Sequence, residues 1–159
     1  MNRLDLKNAW AQWSKQQNYD LHLTLRAQTD EIAFESLEKK IGSLFYKAEC
    51  VLFTRRRRQN HALECRIERL VGIESSALAG KERELHAHVF IVTPKGITQA
   101  DLINVFTKCW QEVTHTSHGY YFNAKKILDA NIHGYNAKSI LTTGHDGISL
   151  RTSFIRKRC

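Results

Sequence analysis

His86 and His88 stand two apart in ELHAHVFIV, an otherwise apolar run at 84–92. In a strand, residues i and i+2 point to the same side, so the two imidazoles project together from one face. Leu85, Ala87, Val89 and Ile91 take the opposite face and suit a core. Imidazole nitrogens are good ligands for divalent metals. A carboxylate would extend the set, and Glu74 closes RLVGIE on the preceding strand segment. If 66–74 and 84–92 pair antiparallel, Glu74 falls near the histidine end of its neighbour. Two imidazoles and one carboxylate leave positions open for a substrate oxygen. Taken singly, each residue is ordinary: a lone histidine is more often a satisfied surface or core group, and a lone strand-end glutamate a solvated one.

A second chemistry is spelled by GYNAKS. Tyr135 and Lys138 are three apart on a predicted helix and project from nearly the same face. A tyrosine can attack a phosphodiester and keep the phosphate as an ester. Its phenol needs help, because its unperturbed pKa is about 10. A metal that polarises the phosphate and a lysine that steadies developing charge would both supply it. The spacing is common by chance, and the ordinary alternative is a packing aromatic beside a solvated lysine.

These residues need elements to position them. Residues 3–17 have helical composition, with Leu4, Leu6, Trp10 and Trp13, and the segment 1–17 reads as an N-terminal helix docked on the core. YDLHLTLRA alternates Tyr19, Leu21, Leu23 and Leu25 with Asp20, His22, Thr24 and Arg26, the pattern of a two-faced strand. Thr29 and Asp30 can cap a helix to about residue 47. CVLFT suggests a short strand. CRIERLVGIE alternates again, and ELHAHVFIV follows. Thr98 opens a helix to about residue 112, GYYFNAKKIL reads as strand, 131–144 as helix, and GISLRTSFI as a last strand. The order is roughly β-α-β-β-α-β-α. It predicts an α+β fold, a central, mainly antiparallel sheet with helices packed on one face.

The 159 residues fit a single domain, 1–159, with a sizeable core. One proline and no Gly/Ser-rich stretch give no sign of a linker. A net charge of +8 points to a polyanionic partner, nucleic acid or anionic membrane. No apolar run reaches transmembrane length and the first residues lack a signal-peptide core, so nucleic acid is the expected partner. The four cysteines form no CxxC and no metal spacing, which suits a reducing compartment. The expected location is cytoplasmic, or nuclear if the chain is from a eukaryotic virus. Arg55, Arg56, Arg57 and Arg58 form the densest charge run, fit to grip phosphates or simply to be solvated. The last residues, about 150–159, form a basic tail.

In combination and order these features resemble the HUH endonuclease superfamily. H-hydrophobe-H is His86-Ala87-His88, the glutamate of the strand before is Glu74, and the downstream helical Y-x-x-K is Tyr135 and Lys138. YDLHLTL resembles the first motif of the family. Within it the look is closest to the single-tyrosine replication initiators (Rep proteins) of rolling-circle plasmids, phages and single-stranded DNA viruses. The resemblance spans about residues 18–145. It implies a Rep-like sheet with a core like that of RNA-recognition motifs, and Mg²⁺ or Mn²⁺ held by His86, His88 and Glu74. It implies nicking of single-stranded or hairpin origin DNA by Tyr135, leaving a 5′-phosphotyrosine and a free 3′-OH, with Lys138 assisting. His22 and Thr24 would line the DNA groove, and a helicase of the host or the element would be a partner.

Two other classes stay open. HLT at 22–24 and the later HAH faintly resemble the paired H-x-T/S motifs of 2H phosphoesterases, which act on RNA or cyclic phosphates without metal. There His88 stands where threonine or serine is expected. The third reading is a non-catalytic basic domain that binds DNA or RNA with its sheet.

Overall fold

Leu21, Leu23 and Leu25 are all fully buried on one face of a strand, as their alternation predicts. This strand, β1 (Leu21–Arg26), belongs to a computed structural model that describes residues 12–13, 16–26, 34–55, 59, 63–76, 84–115, 122–127, 149 and 151–155. The remaining elements are α1 (Phe34–Leu52), β2 (Arg69–Ser76), β3 (Glu84–Ile91), α2 (Gln99–Thr114) and β4 (Phe122–Lys126). The four strands form one antiparallel sheet in the order β2-β3-β1-β4. With the chain order β-α-β-β-α-β this is the split βαβ, ferredoxin-like arrangement, an α+β fold. Its central strands are β1 and β3, the two that carry the histidines.

One face of the sheet is the core. Leu21, Leu23, Leu25, Val71, Ile73, Ala87, Val89 and Ile91 meet the buried sides of both helices. α1 supplies Leu37, Ile41, Leu44, Phe45 and Ala48, spaced three and four apart. α2 supplies Leu102, Phe106, Cys109 and Trp110. Phe45 and Phe106 meet edge-on across the helices, with ring centroids 5.1 Å apart. Thr98 caps α2 by accepting from the Asp101 amide at 3.1 Å, and His115 ends the helix in the left-handed conformation.

The expected strand at CVLFT is instead the last turn of α1. Ala48 and Leu52 continue the helical spacing onto the core, and the Phe53 amide still donates to the Glu49 carbonyl at 3.1 Å. A five-residue apolar run does not by itself distinguish strand from helix. The expected last strand is also absent among the described residues. Residues 149 and 151–155 make a turn and a single bridge, Phe154 to Arg69, along the outer edge of β2. The Ser149 amide donates to the Val71 carbonyl and the Ser153 hydroxyl accepts from the Val71 amide. This short pairing covers part of an edge that would otherwise expose its hydrogen-bonding groups.

The opposite face of the sheet divides into two parts. At the Arg69–Ile91 end, Tyr19, Leu70 and Phe90 form a small buried cluster, with Trp13, Val92 and Ile127 packed on it. Toward the other end the face carries Thr24, Glu74, His86 and His88, with His22 opposite Phe90 between the two parts. Most of the predicted N-terminal helix, the Thr29–Asp30 cap, Arg56 to Arg58, the helix with Tyr135 and Lys138, and the tail beyond 155 lie outside the described residues. No described helix is long and apolar enough to cross a membrane.

Candidate metal centre

The register of β2 on β3 builds the site. Glu74 is the direct partner of His86, and Gly72 is the direct partner of His88. Residues paired in this way share a face, so Glu74, His86 and His88 converge. Glycine opposite His88 leaves β2 without a side chain there. The three donor groups all lie within 4.8 Å of one another. Glu74 Oε2 is 3.5 Å from His86 Nε2 and 3.7 Å from His88 Nε2. The two rings stand edge-to-face at 4.9 Å.

These separations are a few tenths of an ångström or more wider than those of donors on one ion, so the side chains would close inward to share it. Metal bonds of about 2.1 Å meeting at ordinary angles place neighbouring donors about 3.0–3.4 Å apart. A nitrogen-to-oxygen gap of 3.7 Å is too long for a hydrogen bond. The donor chemistry, two imidazoles and a carboxylate, fits a divalent cation. His88 is buried, while His86 and Glu74 are partly open, so the set faces outward on one side. Burial raises the Glu74 pKa, but the two imidazoles outweigh it and hold the carboxyl down to about 2. It is therefore a carboxylate at neutral pH.

β1 supplies the other side of His88. Thr24 is its direct partner. His88 Nδ1 lies 3.1 Å from His22 Nε2 and 3.5 Å from Thr24 Oγ1. The His22 ring stacks on His88 at 5.2 Å and tilts against Phe90 at 4.7 Å. Burial, then the charges of His88 and Lys125, lower the His22 pKa to about 4. The resemblance places His22 in a DNA groove; in the structure it lies behind the candidate ligands, 7% exposed. Thr24 is half-buried beside it.

Other expected residues are placed less fully. Arg55 is exposed three residues beyond α1. The last turns of α1 are tied to the start of β2 by the Glu49–Arg69 ion pair. Glu74 lies five residues further along β2, about 17 Å at ordinary strand rise. Two cations that the sequence placed on a polar face or counted as basic, without a role at the site, stand beside it: Arg26 is the direct partner of His86, and Lys125 of His22. Both share the histidine face, with Arg26 half-buried and Lys125 exposed. The alternation in HLTLR and NAKK was the signal that could have found them.

Comparison with protein-family profiles, with curated proteins and with solved structures gives no significant match.

Proposed function

We propose that this chain is a metal-dependent, sequence-specific nickase and strand transferase acting on single-stranded DNA. The observation that carries the reading is the convergence of Glu74, His86 and His88 on one sheet face, donors within 4.8 Å. A divalent ion bound there, Mg²⁺ or Mn²⁺, would polarise a substrate phosphate. The basic character of the chain and the cations beside the site, Arg26 and Lys125, suit a phosphate backbone.

Tyr135 is the nucleophile in this reading and Lys138 its electrostatic partner. The phenolate oxygen forms a bond to phosphorus, the bond to the 3′ oxygen breaks, and that oxygen leaves as a free 3′-OH. The phosphotyrosine ester keeps the bond energy, so a 3′-OH can later reverse the step and rejoin the ends. Both residues rest on the sequence. The described chain leaves the sheet at Ile127, beside β1 and the β4 edge, and rejoins it at Ser149 on β2. Initiation of rolling-circle replication is the biological role this chemistry serves best, with mobilisation and transposition behind it.

The 2H phosphoesterase reading needs His22 as an accessible acid or base. Its burial against His88 and Phe90 argues against that role. The test is a denaturing gel of the protein with single-stranded and hairpin origin oligonucleotides and Mn²⁺. A DNA-shifted band, lost with EDTA and in Tyr135→Phe, is expected. A band that survives Tyr135→Phe moves the nucleophile, first to Tyr120 or Tyr121. Tight, salt-sensitive binding of a cleavable origin without any band favours the non-catalytic domain.

A further inference from the structure

We propose that His22 is a positioning residue of the metal centre, which holds His88 in the tautomer and orientation that a metal ligand needs. The inference rests on reading Glu74, His86 and His88 as a metal site, and it assigns a job to a residue outside that set.

The geometry separates the two nitrogens of His88. Nε2 faces Glu74 on β2, at 3.7 Å, and Nδ1 faces His22 on β1, at 3.1 Å. A neutral imidazole carries one N–H. If Nε2 is to offer its lone pair to a cation, the proton must sit on Nδ1 and needs an acceptor. His22 Nε2 is the nearer acceptor, since Thr24 Oγ1 stands at the outer limit of 3.5 Å. His22 must then be neutral and protonated on its own Nδ1. The ring is enclosed between His88 and Phe90, with Lys125 opposite it in register.

The ring is also held in place. His22 stacks on His88 with planes 20° apart. Phe90 backs it, and Phe90 is itself buried with Tyr19 and Leu70. The small apolar cluster on this face thus acts as a buttress, and the chain Phe90–His22–His88 runs from it to the candidate ligands. A histidine chosen only to fill this position would not need its Nε2 aimed at the ligand's Nδ1.

The test uses the full chain, freed of metal, and compares His22→Gln with His22→Leu. Glutamine can present an amide oxygen where histidine presents Nε2, whereas leucine fills volume without an acceptor. Mn²⁺ affinity is measured by titration calorimetry. The His88 tautomer is read in the metal-free chain by long-range ¹H–¹⁵N NMR. Circular dichroism checks the fold. The expected result is a roughly 10–100-fold loss of Mn²⁺ affinity in His22→Leu, substantial recovery in His22→Gln, and Nδ1–H on His88 in the wild type. Equal affinity in all three proteins overturns the proposal and leaves the metal site standing. Equal loss in both variants overturns it too, since the acceptor then does not matter. A wild type that binds no Mn²⁺ overturns the metal reading and this proposal together. Should His22→Leu fail to fold, the wild-type tautomer decides: a proton on Nε2 of His88 overturns the proposal.

Discussion

Glu74 and His86 face each other directly across β2 and β3, with Oε2 3.5 Å from Nε2. A carboxylate in that position neutralises part of the charge of any bound cation, and neither His86 nor His88 can replace it. Glu74→Ala is expected to weaken Mn²⁺ binding by at least 10-fold in calorimetry. Saturating Mn²⁺ should raise the urea midpoint of the wild type, through a gain in unfolding free energy of about 2.7 kcal/mol at 100 times Kd, and EDTA should remove the gain. In Glu74→Ala the metal-dependent gain should shrink or vanish. A variant that binds Mn²⁺ as tightly as the wild type removes Glu74 from the site.

Much of this site was legible before any coordinates. Strict alternation in ELHAHVFIV put His86 and His88 on one face, and alternation in RLVGIE put Glu74 on a neighbouring one. Their antiparallel pairing is the short-range consequence of consecutive strands. The link between His22 and His88 was not legible. It depends on β1 inserting beside β3 in the order β2-β3-β1-β4, a long-range fact that no local pattern encodes. The last turn of α1 and the bridge of Phe154 to Arg69 escaped for the same reason. Short apolar stretches take the conformation their tertiary partners dictate.

Glu49 and Arg69 form a buried ion pair remote from the metal centre. Arg69 Nη1 donates to Glu49 Oε1 at 2.9 Å and to the Ile67 carbonyl at 2.9 Å, and its Nε donates to the Thr152 carbonyl at 2.7 Å. The guanidinium also lies over the Phe45 ring at 4.1 Å. Burial lowers the Arg69 pKa to about 10 against the opposing pull of Glu49, so the residue stays charged at neutral pH. Glu49→Ala leaves that charge buried without its carboxylate, and a loss of about 3–5 kcal/mol in urea unfolding is expected. Mn²⁺ affinity of the folded protein should be unchanged. A loss below about 1 kcal/mol, the range of an exposed pair, shows that solvent or another carboxylate reaches Arg69.

The pH dependence of stability follows from His22. Its folded pKa of about 4 lies below the ordinary 6.5. The unfolded chain therefore takes up a proton on His22 below about pH 6.5, while the folded chain resists until about pH 4. Stability contributed by the neutral ring is present above about pH 6.5 and is lost as pH falls through this window, by about 3 kcal/mol in all. Urea midpoints of the metal-free protein, taken from about pH 7.5 down to about pH 4, should fall. His22→Leu should fall less over the same interval, whatever its stability at the upper end. Parallel curves for the two proteins would show that His22 titrates normally in the fold.

Arg26 and Lys125 test which part of the surface would meet DNA in the proposed reading. They are the direct partners of His86 and His22, and share the face with the candidate metal centre, whereas Arg55 is exposed three residues beyond α1. In the proposed reading, a strand whose phosphate reached the metal would lie beside these two cations. For single-stranded DNA, each cation withdrawn from a phosphate reduces the slope of log affinity against log salt by about 0.7. Arg26→Ala and Lys125→Ala should each weaken binding of a single-stranded oligonucleotide several-fold and reduce the slope by about that amount. Arg55→Ala should leave cleavage at saturating DNA unchanged, whatever it does to affinity. Fluorescence anisotropy across a salt series separates the cases. If Arg55→Ala alone flattens the slope, the DNA path runs by the helix layer, and the sheet face must then be reached by a strand that Arg26 and Lys125 do not hold.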